Sequence, residues 1–254
     1  MTIRHRSWPA VPERGRLGAA CGSMGTMADL LLIEDDDRIR LSLRLALEDE
    51  GYEVTEAGTA EEGLAAFAAH PAGAVLVDLM LPGMDGFDCI RQLRRASDVP
   101  VIVVSAREDT HDVVAALEAG ADDYVVKPVA VKELSARLRA LRRRVQGVAA
   151  PGTEALTVLR FGDLELRPEA GEVSKAGRPV QLTRTEFRLL CHLAEQAGRV
   201  LSRAQLLQEV WGYEFGDDRL VDVHVGRLRR KVEDDPGTPV HVVTVRGLGY
   251  KLQR

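Results

Sequence analysis

The sequence has little of what marks a membrane, secreted or fibrous protein. No apolar run approaches the ~20 residues that a transmembrane helix needs, and the segment from Met1 to Gly25 lacks the apolar stretch of a secretory signal. Only three cysteines are present, far apart and without metal-ligand spacing, which favours a reducing compartment over a disulfide framework. We therefore expect a cytoplasmic protein with no membrane partner, in which Cys89 and Cys191 are buried as small apolar residues.

The chain also lacks the positive net charge that would mark a nucleic-acid partner, since its net charge is −5. The charges are unevenly distributed, because residues 28–146 hold 23 acidic and 14 basic residues whereas residues 147–254 hold 15 and 16. Within the second half, the segment from Arg219 to Lys231 contains five basic residues and one acidic residue. A local basic patch of this kind, rather than the net charge, is what contacts phosphate groups.

Length and composition predict two globular domains. Hydrophobic residues make up 45% and charged residues 29% of the 254 residues, as in ordinary globular proteins, and this length favours two domains over one. We predict one domain over residues 28–145 and a second over residues 157–254. The small and polar residues 146–156 between them are typical of a linker.

Residues 1–27 are rich in arginine, glycine, proline and alanine and show no helical or strand periodicity. Two interpretations fit this composition. The segment is either a disordered N-terminal extension of a chain that begins at Met1, or it precedes a later true start at Met24 or Met27. The sequence leaves both open.

The first domain alternates short apolar runs with amphipathic helical patterns five times. The run from Leu30 to Ile33 is typical of a parallel strand covered on both faces, and Ile39 and Leu43 begin an apolar stripe on the helix that follows. Five such units in succession predict an α/β fold with an open, doubly wound parallel sheet, in which ligands bind at the carboxyl ends of the strands. The five strands are predicted over residues 30–33, 52–56, 74–79, 99–104 and 123–126.

Carboxylates and one lysine follow the strands of this predicted sheet. Glu34 and Asp35 follow strand one, and Asp78 lies near the end of strand three. Ser105 ends strand four and Lys127 ends strand five. Because these four strands end side by side in a doubly wound sheet, the side chains should converge at one edge. Clustered carboxylates favour a hard divalent cation such as Mg²⁺, and the lysine would hold a phosphoryl oxygen or pair with a carboxylate.

The second domain is predicted to hold short strands, then helices from Thr185, then a hairpin over residues 246–250. Ser202 is the expected cap of one helix, and a second helix follows from Asp218 with an apolar stripe on one side and basic residues on another. This order predicts a winged helix-turn-helix that places the second helix in a DNA groove. The apolar stripe comprises Val221, Val225, Leu228 and Val232, and the basic face comprises His224, Arg227 and Lys231. The leading strands are predicted over residues 159–166, 172–176 and 178–182.

The motifs of both domains together resemble one known family. From residue 29 to residue 254 the chain is similar to the OmpR/PhoB family of two-component response regulators. The resemblance implies a receiver domain of flavodoxin-like strand order followed by a winged-helix DNA-binding domain. The motifs that carry it are Leu-Ile-Glu34-Asp35-Asp36, Leu-Val-Asp78-Leu-Met-Leu-Pro82-Gly83-Met-Asp85-Gly86, Val-Ser105-Ala, Gly-Ala-Asp-Asp-Tyr124-Val-Val-Lys127-Pro128 and Arg246-Gly-Leu-Gly-Tyr250.

The resemblance implies roles for individual receiver residues. Asp78 would accept a phosphoryl group from a cognate sensor histidine kinase, and Lys127 would contact that group. Ser105 and Tyr124 would form the switch pair that responds to it. The Mg²⁺ ligands would be Glu34, Asp35, Asp78 and the Met80 carbonyl.

The resemblance also implies double-stranded DNA as a partner, a homodimer when the chain is phosphorylated, and RNA polymerase as a further partner. Arg227 would contact bases and Arg246 would act from the wing, while the phosphate or rim contacts would be Arg219, His224, Arg229 and Lys231. Two copies would bind tandem half-sites about one DNA turn apart. The dimer interface would comprise Asp122, Asp123, Lys132, Glu133 and Arg137. One departure is Gly226, where relatives often carry arginine, and it costs the helix roughly 1 kcal/mol relative to alanine.

Two rival functions remain to be compared with this one. A phosphatase using Asp78 as a covalent nucleophile would need a general acid two residues further on, where the chain has Met80. A DNA-binding protein that works without phosphorylation would be expected to have lost the pocket residues, which are all present. We therefore expect a transcription factor and not an enzyme, apart from slow autodephosphorylation.

Overall fold

A computed structural model describes residues 28–142, 158–213 and 217–254. The predicted N-terminal extension, residues 1–27, and the predicted linker, residues 146–156, both lie outside this part of the chain. The domain boundaries inferred from the sequence therefore stay predictions.

The first domain is a five-stranded parallel sheet with the strand order β2-β1-β3-β4-β5 and with one helix after each strand. The predicted doubly wound fold is thus confirmed. The strands are β1 Ala28–Ile33, β2 Tyr52–Ala57, β3 Ala74–Val77, β4 Val101–Ser105 and β5 Asp123–Val126. The helices are α1 Asp37–Asp49, α2 Ala60–Ala69, α3 Gly86–Ala96, α4 Thr110–Ala119 and α5 Val131–Arg142.

Strand β3 ends earlier than the sequence pattern predicted, at Val77 rather than at residue 79. The backbone leaves the strand at Asp78, whose amide donates a hydrogen bond of 3.0 Å to the carbonyl of Ile33. The first residue of α3, Gly86, packs directly onto this bend, because an added Cβ would lie only 2.2 Å from the Asp78 carbonyl oxygen. Close packing of a helix terminus against the strand end therefore holds the backbone at Asp78.

Local capping contacts set where several helices begin. The Thr59 hydroxyl accepts a 3.2 Å hydrogen bond from the Glu62 amide at the start of α2, and the Asp85 carboxylate accepts one of 2.8 Å from the Asp88 amide at the start of α3. Such caps satisfy amides that have no partner within the helix. These two caps therefore fix where α2 and α3 begin.

The second domain begins with a four-stranded antiparallel sheet, continues with three helices and ends in a two-stranded hairpin. The single strand predicted over residues 159–166 was wrong, because Gly162, with φ of 62°, turns the chain back on itself. The strands are β6 Leu159–Phe161, β7 Leu164–Arg167, β8 Glu172–Lys175, β9 Arg178–Pro179, β10 Val242–Val245 and β11 Gly249–Leu252. The helices are α6 Arg184–Glu195, α7 Arg203–Leu206, which continues as a π-helical segment over Leu207–Trp211, and α8 Arg219–Val232.

Apolar side chains fill the centre of both domains. Trp211 is completely buried, and Cys89 and Cys191 are buried and free, as predicted. The two domains also contact each other, because α8 packs against α4 and the π-helical segment Leu207–Trp211 packs against α5. This contact places the predicted DNA-reading helix on the receiver surface.

Candidate functional sites

The predicted pocket residues converge at the carboxyl edge of the parallel sheet. One carboxylate oxygen from each of Glu34, Asp35 and Asp78 lies within 4.8 Å of the others. The Lys127 ammonium donates hydrogen bonds of 2.6 Å to Asp78 Oδ2 and of 2.6 Å to Glu34 Oε2. Glu34 and Asp78 are buried and Asp35 is exposed. The pocket therefore combines three carboxylates with one ammonium group and is open to solvent beside Asp35.

Burial and the neighbouring charges in this pocket shift the pKa values of Asp78, Glu34 and Lys127. Burial raises the pKa of Asp78, but hydrogen bonds from Lys127 and the Met80 amide outweigh it and leave the pKa below its usual value. Burial dominates at Glu34 and leaves its pKa raised despite Lys127. Burial lowers the pKa of Lys127, yet its bonds to the two carboxylates leave that pKa raised. At neutral pH the arrangement therefore keeps Asp78 ionised and Lys127 charged.

Ser105 and Tyr124 flank this pocket, on β4 and β5. Ser105 is completely buried at the end of β4, and its hydroxyl has no hydrogen-bond partner in the part of the chain that the structure describes. The Tyr124 hydroxyl instead donates a 2.6 Å hydrogen bond to the Arg107 carbonyl, and burial raises the pKa of Tyr124 to about 12. Ser105 is thus a buried donor without a well-formed hydrogen bond, and it lies close enough to Asp78 to help lower the pKa of that carboxyl.

The residues predicted to form a dimer interface lie at β5 and α5 and are only partly accessible. Asp122 and Asp123 are buried, and Lys132 and Glu133 are exposed. Arg137 Nη1 donates a 3.0 Å hydrogen bond to Asp123 Oδ2, and Arg137 Nη2 donates one of 2.7 Å to Glu133 Oε1. Asp123, Glu133 and Arg137 are therefore paired within the chain, and the role of all five residues in a dimer stays a prediction.

Two of the three residues on the basic face of α8, His224 and Arg227, are buried in this structure, contrary to the expectation of a free groove-facing side. Arg227 is buried and donates hydrogen bonds of 3.2 Å and 2.9 Å to the carbonyls of Leu117 and Ala121, at the end of α4. His224 is completely buried beside Trp211, with the two ring centroids 5.0 Å apart. The reason is domain packing, which the periodicity of a single helix cannot reveal.

The four other residues predicted to contact DNA differ in how they are held. Arg219 donates a 2.9 Å hydrogen bond to the Thr110 hydroxyl on α4. Arg229 braces the hairpin through a 2.8 Å bond to the Val242 carbonyl. Lys231 donates a 2.6 Å bond to Glu186 Oε2, whereas Arg246 is exposed on the turn between β10 and β11. The DNA contacts of all these residues stay predictions.

Sequence reasoning missed Glu186, whose carboxylate forms ion pairs with Arg227 and Lys231 on α8. Its carboxylate accepts a 2.9 Å hydrogen bond from the Thr183 amide, completing the capping box of α6. The same carboxylate lies 3.1 Å from Arg227 Nη2, and Arg227 and Lys231 lower the pKa of Glu186 against the effect of burial. The Thr-x-x-Glu spacing was a visible capping signal, but nothing in it indicated the contacts with α8.

Comparisons with known proteins agree with this architecture. Residues 30–139 match the family described as "Response regulator receiver domain", and residues 177–252 match the family described as "Transcriptional regulatory protein, C terminal". The sensory transduction protein RegX3 of Mycolicibacterium smegmatis is 47% identical over 228 residues, which cover 89% of this chain and 100% of the relative. The chain belongs to the OmpR/PhoB family of two-component response regulators.

Two further relatives extend the comparison of this response regulator. The transcriptional regulatory protein CseB of Streptomyces coelicolor is 48% identical over 91% of this chain and 100% of its own length. A solved structure of a RitR mutant has a TM-score of 0.68 and 28% sequence identity, and the match covers 88% of this chain and 98% of that one. Both similarities span the two domains.

A receiver domain joined to a transcriptional DNA-binding domain implies a cognate kinase and DNA as partners of this response regulator. The family consists of transcription factors, which argues against the rival interpretation of the chain as a phosphatase. Among the described residues, none of the helices combines the length and apolarity that crossing a bilayer requires.

Proposed function

We propose that this response regulator accepts a phosphoryl group on Asp78 from a sensor histidine kinase and then binds DNA as a dimer. The observation that carries the proposal is the cluster of Glu34, Asp35 and Asp78 carboxylates with the Lys127 ammonium bridging two of them. Asp78 is the member of this cluster whose pKa is lowered, and Lys127 donates a hydrogen bond to it. It is therefore the group best suited to attack phosphorus.

The transfer needs little covalent chemistry from the protein beyond the attacking oxygen. One Asp78 carboxylate oxygen attacks the phosphorus atom of a phosphohistidine, a P–O bond forms and the P–N bond breaks, and the leaving imidazole nitrogen takes up a proton. Lys127 then neutralises charge on the new acyl phosphate, at the position where it now donates to Asp78 Oδ2. Slow hydrolysis of this acyl phosphate would act as a timer.

The pocket also suits Mg²⁺. Lys127 supplies one positive charge against three carboxylates whose oxygens lie within 4.8 Å of one another, and carboxylate oxygens are ligands that Mg²⁺ prefers. Glu34, Asp35, Asp78 and the Met80 carbonyl would hold the ion. When bound, Mg²⁺ offsets negative charge on the phosphoryl oxygens.

The unpaired Ser105 hydroxyl suggests how phosphorylation is sensed. A phosphoryl group on Asp78 offers three strong acceptors, and Ser105 is a buried donor with no competing bond among the described residues. We infer that Ser105 turns to this group and that Tyr124 leaves the Arg107 carbonyl to fill the space. This change biases the surface formed by α4 and β5.

The proposed output is a homodimer on tandem DNA half-sites, with contact to RNA polymerase at the promoter. Asp122, Asp123, Lys132, Glu133 and Arg137 would form the receiver interface. The half-sites would be about one DNA turn apart, so that both α8 helices meet the same face of the duplex. Light scattering after size exclusion, with and without a phosphodonor, tests whether phosphorylation doubles the mass.

The phosphoacceptor is tested by Asp78→Asn. Incubated with acetyl phosphate and Mg²⁺, the wild-type chain should show a retarded band on phosphate-affinity gels, and the variant should show none. Asp37→Asn is the matched control, because Asp37 is exposed and lies outside the cluster. Retardation of Asp78→Asn at the wild-type yield would mean that another residue accepts the phosphoryl group.

A further inference from the structure

An arginine at the start of α1 contacts the backbone of two residues that would bind Mg²⁺. Arg40 Nη1 donates hydrogen bonds of 2.7 Å to the Glu34 carbonyl and of 3.3 Å to the Asp35 carbonyl. We propose that Arg40 is a positioning residue, which holds residues 34–36, here called the acidic loop, so that the Glu34 and Asp35 carboxylates are in place for a divalent cation. The inference deepens the proposed function and rests on it for the magnesium site.

The stability of α1 does not explain an arginine at this position. The helix begins at Asp37 after the Asp36 cap, so Arg40 lies in its first turn. The positive end of the helix dipole lies there, where a cationic side chain is unfavourable. A freely exposed arginine would therefore weaken the helix, and the carbonyls of the acidic loop are acceptors that offset this effect.

Contacts with neighbouring elements fix the Arg40 side chain, which is only 19% exposed. Its Nε lies 3.8 Å from Glu56 Oε1 on β2, and Glu56 Oε2 lies 2.9 Å from Arg44 Nε. The ion pair of Arg40 with Asp37 involves a mostly exposed carboxylate and adds little. The Arg40 guanidinium therefore joins α1, β2 and the acidic loop.

The two ligand residues depend on their backbone to different degrees. The Glu34 amide donates a 3.0 Å hydrogen bond to the Ala57 carbonyl, and the Glu34 carboxylate is oriented separately by Lys127. The exposed Asp35 carboxylate has no hydrogen bond or ion pair with another described residue. Asp35 therefore relies on its backbone for its orientation, and Arg40 contacts that backbone.

Arg40 acts on a bound cation in two opposite ways. As a positive charge it repels the ion, so that its removal would strengthen binding. As a clamp on the acidic loop it keeps two ligands oriented, so that its removal would weaken binding. We expect the second effect to dominate. Repulsion across a pocket that is open to solvent is screened, whereas the loss of a group that orients metal ligands typically changes affinity by about ten- to hundredfold.

Two arginines one helical turn apart provide the test and its control. Arg40→Gln removes the guanidinium that binds the acidic loop. Arg44→Gln makes the same charge change on the same helix beside the same Glu56, at a residue whose ion pairs are with Glu48 and Glu56. Arg40→Lys keeps the charge but replaces a planar group with several donors by a single ammonium. All three variants are made in the full-length chain.

Binding is measured with Mn²⁺, which suits the same oxygen ligands as Mg²⁺, from the electron paramagnetic resonance signal of the free ion. We expect the dissociation constant to rise about tenfold in Arg40→Gln, by a smaller factor in Arg40→Lys, and by less than about twofold in Arg44→Gln. In labelling with acetyl phosphate, the Mg²⁺ concentration that gives half the maximal rate should rise by the same factors. The rate at saturating Mg²⁺ should change much less.

The direction of the shift separates orientation from charge and from stability. A dissociation constant that is unchanged or lower in Arg40→Gln would overturn the positioning role, even if urea denaturation showed a less stable chain. Should Arg40→Gln fail to fold, Arg40→Lys takes its place, and an unchanged dissociation constant there would overturn the role.

Failure of the proposed function has a different signature. A wild-type chain that binds no Mn²⁺ would overturn the magnesium site, and the role of Arg40 with it. A wild-type chain that binds Mn²⁺ but takes up no phosphoryl group would overturn only the assignment of Asp78, and the expected order of the Arg40 and Arg44 variants in Mn²⁺ binding would still hold.

Discussion

The acidic pocket and α8 both carry several charged side chains, but these side chains are paired in different ways. The pocket is built within one domain, where Glu34, Asp78 and Lys127 are brought together by adjacent strand ends and bond to one another. In α8 the charges are paired with other parts of the chain. Arg227 forms an ion pair with Glu186 on α6 and donates a hydrogen bond to the receiver domain at the end of α4. The pocket is thus a property of the receiver fold, while the state of α8 depends on domain packing.

The largest effect is expected where the charges of α8 meet the carboxylate of Glu186 on α6. Glu186→Ala would remove the carboxylate beside Arg227 and Lys231 and leave a buried guanidinium without its ion-pair partner. We expect the free energy of unfolding to fall by about 3–5 kcal/mol, as measured by urea denaturation. Glu186→Gln keeps an acceptor for the Thr183 amide and isolates the contribution of the charge. Equal stability of the alanine variant and wild type would show that Arg227 does not depend on this carboxylate.

The second prediction uses pH to probe the same helix. The pKa of His224 is lowered to about 4, chiefly by burial and then by the charge of Arg227. In the unfolded chain the ring titrates near ~6.5, so between these values the unfolded state binds a proton that the folded state does not. The stabilisation that comes from a neutral His224 is therefore fully present above about pH 6.5. As the pH falls towards 4, the free energy of unfolding decreases by up to roughly 3 kcal/mol.

The measurement is the free energy of unfolding at several pH values between 7 and 4 for wild type and His224→Gln. The glutamine variant has no titrating ring at this position, so its stability should decline less steeply on acidification. Identical slopes for the two chains would contradict the burial of a neutral imidazole.

The third prediction tests the pocket side of the comparison. Gly86→Ala would place a methyl group against the Asp78 carbonyl and the Leu79 Cα, which are backbone atoms that cannot move aside cheaply. Overpacking of this kind costs about 1–3 kcal/mol, and the resulting shift of Asp78 should also reduce phosphoryl uptake from acetyl phosphate. Unchanged melting and labelling would show that α3 is not packed tightly on the strand end.

The smallest effect is expected on the open side of α8. No atom of another described residue lies within 4 Å of a Cβ added at Gly226, and its φ is not positive. Gly226→Ala should therefore stabilise the chain by up to about 1 kcal/mol through helix propensity, seen as a raised Tm. A destabilised variant would indicate that α8 is more crowded at this position than the structure describes.

Much of the candidate pocket could be predicted from the sequence, because each residue follows its own strand by a short and regular spacing. The same reasoning placed the apolar stripe of α8 correctly, since Val221, Val225, Leu228 and Val232 are all buried. It failed for Arg227, whose guanidinium binds carbonyls about 100 positions away at the end of α4, and for His224, which packs against Trp211. It also failed for the hairpin at Gly162, where a glycine in the left-handed region breaks an otherwise strand-like pattern.

By itself, the sequence determined the order of strands and helices in the first domain, the family and the small set of side chains at the carboxyl edge of the sheet. These follow from local periodicity and from the topology that short parallel units impose. Only the tertiary structure decided that α8 lies against α4. It also decided that the Tyr213 hydroxyl donates a hydrogen bond to the Asp123 carboxylate and that the Arg137 guanidinium lies over the Tyr213 ring. Such contacts arise from the fit of two separately folded surfaces, and no local pattern along the chain encodes which surface will meet which.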